Sequence, residues 1–426
     1  MSPKHSLQEW GDRWCRWLTR PKLTFFFVVF LLSQVTLFFA LETTTGMLDR
    51  RGQVRGRDFL QFYIGGRIVA SGEAHRLYDQ ELFHEIQLSL SEINDKCPRY
   101  FSTYPPMAAL LFSSLGRLSY EQAICRWWLI QLACFISAAV VLFRSLEPSP
   151  EWRRTAWLGL AAFYPVLSTF WNGQLASLFL LCFVVGFELH HRCRPFEAGL
   201  VLSLLAMKPQ FALGVGVWLL LRRDFWTLVG CCCGGLLQAA AVSFVMGPKI
   251  LLAYSQATRS YPELFRMHFI SADHQHAIAG IFTNHFGGTF AEMGMAIHFL
   301  LALYAGFLLL RVINAHRCGA DGIAASRLEL SAAVIFILLL TPHLLTYDLS
   351  YLLVPIAYGL AARRKLEAAI AVPLSSVLYL FSTLAQLYLP LGFSFVPLAM
   401  VGALHVLATG CDRQKATLLP SQSPNS

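Results

Sequence analysis

One carboxylate stands out among the residues that could do chemistry: Asp58, in the run Gly56-Arg57-Asp58-Phe59 that precedes an amphipathic stretch. An aspartate here can cap the following helix, because its oxygens accept hydrogen bonds from the free backbone N–H groups at a helix start. It can also serve as a general base that takes the proton from a hydroxyl group attacking an electrophilic carbon. From this local chemistry alone, the cap is the favoured interpretation.

A second candidate is Lys208, in the run Met207-Lys208-Pro209-Gln210 inside an apolar stretch. An ammonium group near hydrocarbon is costly unless it extends to water or pairs with an anion, and a lipid phosphate at the outer interface is one such anion. These two interpretations stand equal. Because proline removes a backbone donor and disfavours helix at the preceding residue, we expect two short helices with Lys208 at the outer tip between them.

Three further groups are weak signals by themselves. Tyr104-Pro105-Pro106 is typical of the start of an interfacial helix, and Asn172-Gly173-Gln174 is typical of a turn. His343, Tyr347 and Asp348 fall together at the end of an apolar run. Ionisable residues in that position of a membrane protein either bind a ligand or bridge helix ends, and the sequence leaves both interpretations open.

The elements that position these residues are transmembrane helices. The chain has 426 residues, of which 56% are hydrophobic and 14% charged, whereas soluble domains carry about 25% charged residues. Apolar runs long enough to cross or nearly cross a bilayer recur, as at 23–41, 124–143, 225–246 and 295–310. We therefore predict an all-α polytopic membrane protein with about 12 transmembrane helices, which excludes a soluble domain.

Charge sets the predicted topology. The formal net charge of +9 comes from short basic clusters between apolar runs, which indicates topology signals and no nucleic-acid partner. We expect a cytoplasmic amphipathic N-terminus (1–22), a membrane domain (23–410) and a disordered cytoplasmic tail (411–426). Two outer loops, about 42–122 and 247–290, would carry interfacial helices, and the apolar segment 105–118 is too short to span. The location is then the inner (plasma) membrane, with both termini cytoplasmic.

The 11 cysteines predict neither a disulfide framework nor a metal site. Cys231-Cys232-Cys233 lies inside an apolar run, where thiols act as small packing groups between helices. The sequence therefore implies no metal.

Several segments form an ordered set along the chain: Gly56-Arg57-Asp58-Phe59, Gly72 through Leu77-Tyr78-Asp79, Tyr104-Pro105-Pro106, Asn172-Gly173-Gln174, Leu205-Ala206-Met207-Lys208-Pro209-Gln210 and Tyr347-Asp348. In this order they resemble glycosyltransferase family 87, whose members are GT-C-type mannosyltransferases dependent on polyprenol-phosphate-mannose. The resemblance extends from about Asp58 to Pro355.

This resemblance implies a GT-C membrane fold whose outer loops roof a cavity open to the bilayer. It also implies an inverting transfer of a hexose, such as mannose, from a polyprenyl-phosphate-linked donor to a lipid or glycan acceptor on the outer face. Asp58 matches the acidic residue that is catalytic in the family and would act as the general base. This resemblance reverses the preference for interpreting Asp58 as a helix cap. Lys208 and Arg57 would steady the departing phosphate, and neither a cofactor nor a metal is required.

The remaining site residues follow from the same resemblance. Asn172 and Gln174 would lie near the sugar or the phosphate, and Tyr104 would stack on a sugar ring or anchor the interface. His343, Tyr347, Asp348 and His276 are possible substrate-binding residues. Two departures leave the acceptor and the sugar open: Thr346-Tyr347-Asp348-Leu349-Ser350 replaces a Trp-Asp-His-His-like run, and Asp273-His274-Gln275-His276 replaces an Asn-Gln-Ser-like run.

Two other functions fit a chain of this type. A secondary transporter would place broken helices symmetrically in two halves, with its site near the midplane, whereas the candidate residues here gather at one face. A lipid-linked glycan polymerase or ligase would concentrate its ionisable residues in one late loop, whereas this chain divides them between 42–122 and 247–290.

Overall fold

A computed structural model describes Arg13 and residues 16–90, 98–146, 148–267, 275–286, 288–317, 323–360, 375–384 and 394–418. Within these ranges the regular structure is helical, and backbone pairing of the β type is limited to two isolated bridges. The prediction of an all-α protein is confirmed.

The first half of the chain forms these helices: α1 (Arg20–Glu42), α2 (Phe59–Ala70), α3 (Gln80–Ser89), α4 (Pro106–Phe112), α5 (Tyr120–Leu146), α6 (Arg153–Ala161), α7 (Tyr164–Asn172) and α8 (Ala176–His191). The second half forms α9 (Pro195–Leu202), α10 (Pro209–Arg222), α11 (Phe225–Met246), α12 (Lys249–Met267), α13 (Ile278–Phe286), α14 (Gly288–Arg317), α15 (Ile323–Leu340), α16 (Leu353–Leu360), α17 (375–383) and α18 (Val396–Leu418). Short 3₁₀ helices occupy Ala74–Arg76, Leu115–Arg117, Ser203–Met207 and Thr346–Leu352.

Four helices among the described residues are long and apolar enough to cross a bilayer: Arg20–Glu42, Tyr120–Leu146, Phe225–Met246 and Phe290–Arg317. They identify a membrane protein. The predicted number of about 12 spans is not matched by this set, because several of the expected spans are shorter helices, such as α8 with 16 residues and α10 with 14.

Proline explains where the helices break. α6 and α7 are separate helices, because Pro165 lacks a backbone donor and its ring would clash with the carbonyl of Ala161 in a continuous helix. The predicted break at Pro209 is confirmed between the 3₁₀ turn Ser203–Met207 and α10.

The sequence also predicts the structure of two short segments, which are segment 105–118 and the tail from residue 411. Segment 105–118 forms the seven-residue α4 and a 3₁₀ turn, and α4 spans only about 10 Å, so this segment does not cross a bilayer. The expected disordered tail from 411 is wrong for its first part, since α18 continues to Leu418. The helix can continue through residues 411–418 because they include no glycine or proline, and it ends shortly before Pro420.

Ion pairs join several helix ends at one end of the bundle, here called the basic end. Arg222 at the end of α10 contacts Glu329 of α15 at 2.5 Å, and His190 at the end of α8 contacts Asp224 at 2.6 Å. His316, near the end of α14, shares Glu329. These contacts fix the helix ends against each other.

α1 runs parallel to the α6–α7 pair on the side of the bundle. Thr24 and Thr155 share a hydrogen bond of 2.7 Å, and farther along Gln34 Nε2 donates to the Ala162 carbonyl at 3.1 Å. The apolar side chains of the rest of α1 are largely exposed, as expected for a surface that faces lipid.

At the opposite end, α2 packs against α4 and the turn Leu115–Arg117 through glycine. A Cβ added to Gly66 would lie 2.3 Å from the Phe112 carbonyl oxygen, and one on Gly116 would lie 2.4 Å from the Arg67 nitrogen. The backbones can approach this closely only because no side chain intervenes. This contact fixes α2, which begins directly after Asp58.

The adjacent glycines of α2 give a matched test. Gly66→Ala should lower stability by about 1–3 kcal/mol, because its methyl group overpacks against the Phe112 carbonyl. Gly65→Ala, whose Cβ has its nearest neighbour at 3.4 Å, should change stability by less than about 1 kcal/mol. Thermal unfolding of both variants in one detergent measures this, and equal effects would contradict the close contact.

Candidate functional site

A cavity of about 1360 Å³ opens at the end of the bundle away from the basic end. The course of three helices shows that the cavity and the basic end lie at opposite ends of the bundle. α8 and α10 begin beside cavity residues and end at the basic end, and α15 runs back from Glu329 to the cavity. Its walls come from α1, α7, α12 and the segments 51–58, 98–105, 207–210 and 342–347.

Asp58 lies in the cavity wall, directly after two residues with left-handed backbone. Gly56 has φ +68° and Arg57 has φ +33°, after which Asp58 is helical at φ −65°. Its carboxylate makes no capping bond to α2 and instead accepts a hydrogen bond of 2.7 Å from Gln174 Nε2. The cap interpretation is therefore wrong here, whereas Asp79 does cap α3 by accepting from the Leu82 backbone N–H.

Gln174 is held in one orientation by Tyr104. The Tyr104 hydroxyl donates to Gln174 Oε1 at 3.0 Å, which turns the amide N–H group toward Asp58. The turn before Gln174 packs directly on the Asp58 turn, because a Cβ on Gly173 would lie 2.5 Å from the Phe59 Cβ. Two residues that looked weak in the sequence thus form one hydrogen-bonded chain ending on Asp58.

Asn172 also lines the cavity, but its amide is used within its own helix. Nδ2 donates to the Ser168 carbonyl at 2.7 Å and lies 3.3 Å from the Ser168 hydroxyl. Among the described contacts, the side chain of Asn172 has none with Asp58.

Lys208 is buried, with 7% of its surface exposed, and forms an ion pair with Asp348, which is 1% exposed. The Leu345 backbone N–H donates to the other carboxylate oxygen of Asp348 at 3.2 Å. Of the two interpretations that the sequence left open, the one in which Lys208 snorkels into water is therefore wrong. Lys208 still lines the cavity beside the Tyr347 ring, but Asp348 already compensates its charge.

Arg57 is the cavity cation without a direct contact to an acidic side chain in the described part of the chain. Its guanidinium has no ion pair or hydrogen bond there, whereas Arg51 pairs with Asp49 at 2.9 Å and Arg99 pairs with Glu81 at 2.8 Å. Within the described residues, the site consequently offers one guanidinium that is in no ion pair, next to Asp58.

The histidines divide between the wall and the layer behind it. His343 lines the cavity, and Gln275 Nε2 lies 2.6 Å from its Nδ1. His276 is completely buried outside the wall, with Nδ1 2.7 Å from the Ser394 hydroxyl and Nε2 3.1 Å from the Thr346 hydroxyl. His276 can hold Thr346 in place but is not among the residues that line the cavity. Asp273 and His274 lie outside the described residues.

Burial raises the pKa of Asp58 above the usual range of an aspartate. The hydrogen bond from Gln174 and the positive charges of Arg57 and Lys208 act in the opposite direction and lower the pKa. A carboxylate with a raised pKa is a stronger base than one in water.

The sequence offered little signal for several other wall residues. Gln61 follows Asp58 by three positions, and Gln34 is an isolated amide in the apolar α1. Tyr254, Thr258 and Tyr261 recur at intervals of four and three, which is the spacing of one helix face. That last pattern could have identified α12 as a wall of the cavity.

The hydrogen bond from Gln174 gives a pH prediction. Gln174→Leu should move the titration of the Asp58 carboxyl to higher pH, because the hydrogen bond that stabilises the ionised form is lost. Infrared titration, with the spectrum of Asp58→Asn subtracted, isolates this group. Asn172→Leu is the matched control and should leave the titration in place; a shift of equal size in both variants would contradict the assignment.

Comparisons with known proteins match the chain to a family. The sequence model of glycosyltransferase family 87 matches residues 102–342, more than half of the chain. A polyprenol-phosphate-mannose-dependent alpha-(1-2)-phosphatidylinositol mannoside mannosyltransferase of Mycolicibacterium smegmatis is 29% identical over 181 residues, covering 38% of this chain and 39% of that relative. No solved structure matches. The match includes Tyr104, Gln174 and Lys208, and the chain belongs to glycosyltransferase family 87.

Proposed function

We propose that this membrane glycosyltransferase transfers mannose from a polyprenyl-phosphate-linked donor to a lipid-linked or glycan acceptor, with inversion, and that Asp58 is the general base. The observation that carries this proposal is the geometry of Asp58. Its carboxylate faces the cavity, is held by Gln174 and has no role as a helix cap. The family and the name of the relative support the donor class.

The proposed step is a single displacement. An acceptor hydroxyl loses its proton to the Asp58 carboxylate while its oxygen bonds to the anomeric carbon of the donor sugar. The bond from that carbon to the phosphate oxygen breaks on the opposite face, and polyprenyl phosphate leaves with the electron pair. The hydrogen bond from Gln174 and the dense turn around Gly173 hold the base in place.

Arg57 is the cation best suited to the donor phosphate. Negative charge grows on the phosphate as it leaves, and a positive group fixed beside it stabilises that charge. Arg57 forms no ion pair among the described residues, whereas Lys208 is paired with Asp348. Arg57 therefore contributes the main attraction, and the neutral Lys208–Asp348 pair lies beside Tyr347 in the cavity lining.

The lipid part of the donor has a route along α1. Phe30, Ser33, Gln34 and Leu37 of this helix line the cavity, while neighbouring apolar side chains on the same helix are exposed. A polyprenyl chain lying in the bilayer against α1 can thus extend its phosphate into the cavity.

The same proposal places the cavity on the outer side of the inner membrane. Lys and Arg residues are enriched on the cytoplasmic side of membrane proteins. The ends of α8, α10 and α14 carry Arg192, Arg222 and Arg317, and these ends lie at the basic end, away from the cavity. Both termini would then be cytoplasmic, with the segments 42–122 and 247–290 outside.

Asp58→Asn should reduce transfer by about 10²- to 10⁴-fold, because the amide cannot accept the acceptor proton. Purified protein in lipid, supplied with labelled polyprenyl-phosphate-mannose and phosphatidylinositol mannoside, measures the rate. Asp79→Asn, in the same outer segment, is the control: it weakens the cap of α3 but should leave the rate within about twofold. Transfer by Asp58→Asn at the wild-type rate would exclude Asp58 as the base.

Arg57→Gln should weaken donor binding by about 10- to 100-fold, since a charged hydrogen bond contributes about 1.5–3 kcal/mol. Arg51→Gln is the control, because Arg51 also lines the cavity but is compensated by Asp49. Inhibition of transfer by added polyprenyl phosphate reports the affinity of each variant. If Arg51→Gln has the larger effect, Arg57 is not the principal phosphate ligand.

A further inference from the structure

One part of the cavity is lined by residues 99–104 and by α12. We call it the roof arm and define it by residues 99–104 on one side and by Tyr254, Thr258 and Tyr261 of α12 on the other. Small-molecule sites commonly measure about 300–1,000 Å³, so a cavity of about 1360 Å³ has room beyond a single phosphorylated sugar.

α12 presents one face to this arm. Tyr254, Thr258 and Tyr261 are half-buried and line the cavity, while Leu252, Ser255 and Arg259 on the other face are exposed. The amphipathic pattern of α12 therefore places aromatic rings with hydroxyl groups along the arm.

The opposite side of the roof arm is fixed by hydrogen bonds. The Tyr78 hydroxyl donates to the Tyr104 carbonyl at 2.9 Å, and the Tyr261 hydroxyl donates to the Ser102 carbonyl at 3.2 Å. The rings of Tyr78 and Tyr254 lie 5.6 Å apart, and the Tyr254 hydroxyl has no hydrogen bond within the described part of the chain. The arm is thus preformed, with an aromatic ring and a hydroxyl group available to a ligand.

The two sides of the cavity suit different chemistry. The wall at α1 is membrane-facing and includes Phe30 and Leu37, which suit a lipid chain. The roof arm has tyrosines, a threonine and Arg99, which suit a ring with apolar C–H faces and polar edges. A saccharide or cyclitol has this character.

We propose that the roof arm binds the sugar-bearing headgroup of the acceptor, with a ring packed on Tyr254. The assignment to the acceptor rests on the proposed function, because the single donor sugar is joined directly to the phosphate and must stay beside Asp58. An acceptor headgroup with more than one ring can place its reacting hydroxyl at Asp58 and a further ring in the arm.

Saturation-transfer NMR with free mannotriose and the protein in nanodiscs tests the arm without requiring transfer activity. Wild type should transfer saturation to mannotriose, and Tyr254→Ala should raise the dissociation constant about 3- to 10-fold through loss of the aromatic surface. Tyr254→Phe keeps the ring and should stay within about twofold of wild type. Phe244→Ala removes an exposed aromatic residue of α11 outside the cavity and should behave as wild type.

Transfer kinetics then distinguish acceptor from donor. Tyr254→Ala should raise the KM for phosphatidylinositol mannoside about 3- to 10-fold while the KM for polyprenyl-phosphate-mannose stays within about twofold. No binding of mannotriose to wild type, or an equal loss in Phe244→Ala, would overturn the proposal, as would a rise confined to the donor KM. Saccharide binding without transfer would instead count against the proposed function alone.

Discussion

The site depends on the close packing of two turns. Gly173 approaches the Gly56–Phe59 turn so closely that a single methyl group would not fit between them. This contact joins the end of α7 to the start of α2 and brings Gln174 within hydrogen-bond distance of Asp58 across 116 residues of sequence. Tyr104 then fixes the Gln174 amide, so a backbone contact ultimately determines where the carboxylate points.

Charge in the cavity is distributed unequally. Lys208 and Asp348 neutralise each other in a buried pair, and such a pair contributes little net stability because both groups have lost water. The pair does join the break before α10 to the 3₁₀ turn Thr346–Leu352, so it holds these two segments of the cavity lining together. Arg57 and Asp58 are left as neighbouring opposite charges that face the open space. A ligand with an anionic group and a hydroxyl group complements this arrangement.

Local sequence signals predicted the local structure well. Apolar runs located α1 and α11, and Pro209 located a break, because hydrophobicity and proline act within a few residues. Pro165 carries the same signal and separates α6 from α7. The contacts of Lys208 with Asp348 and of Asp58 with Gln174 could not be read locally, because they join residues 140 and 116 positions apart. In the sequence, only the order of the motifs indicated that Asp58 is a base. Only the fold excluded the interpretation of Asp58 as a helix cap.

The left-handed backbone at Arg57 has a consequence for how this protein can change. A side chain at φ +33° is held at a cost of about 1–2 kcal/mol that glycine would not carry. Selection for stability alone would therefore favour glycine at this position, next to Gly56. Arginine there means that the fold tolerates local strain where the positive charge is useful, which is the pattern of a trade-off between stability and function. If the positive charge were no longer needed, Arg57 would be the first residue to be replaced.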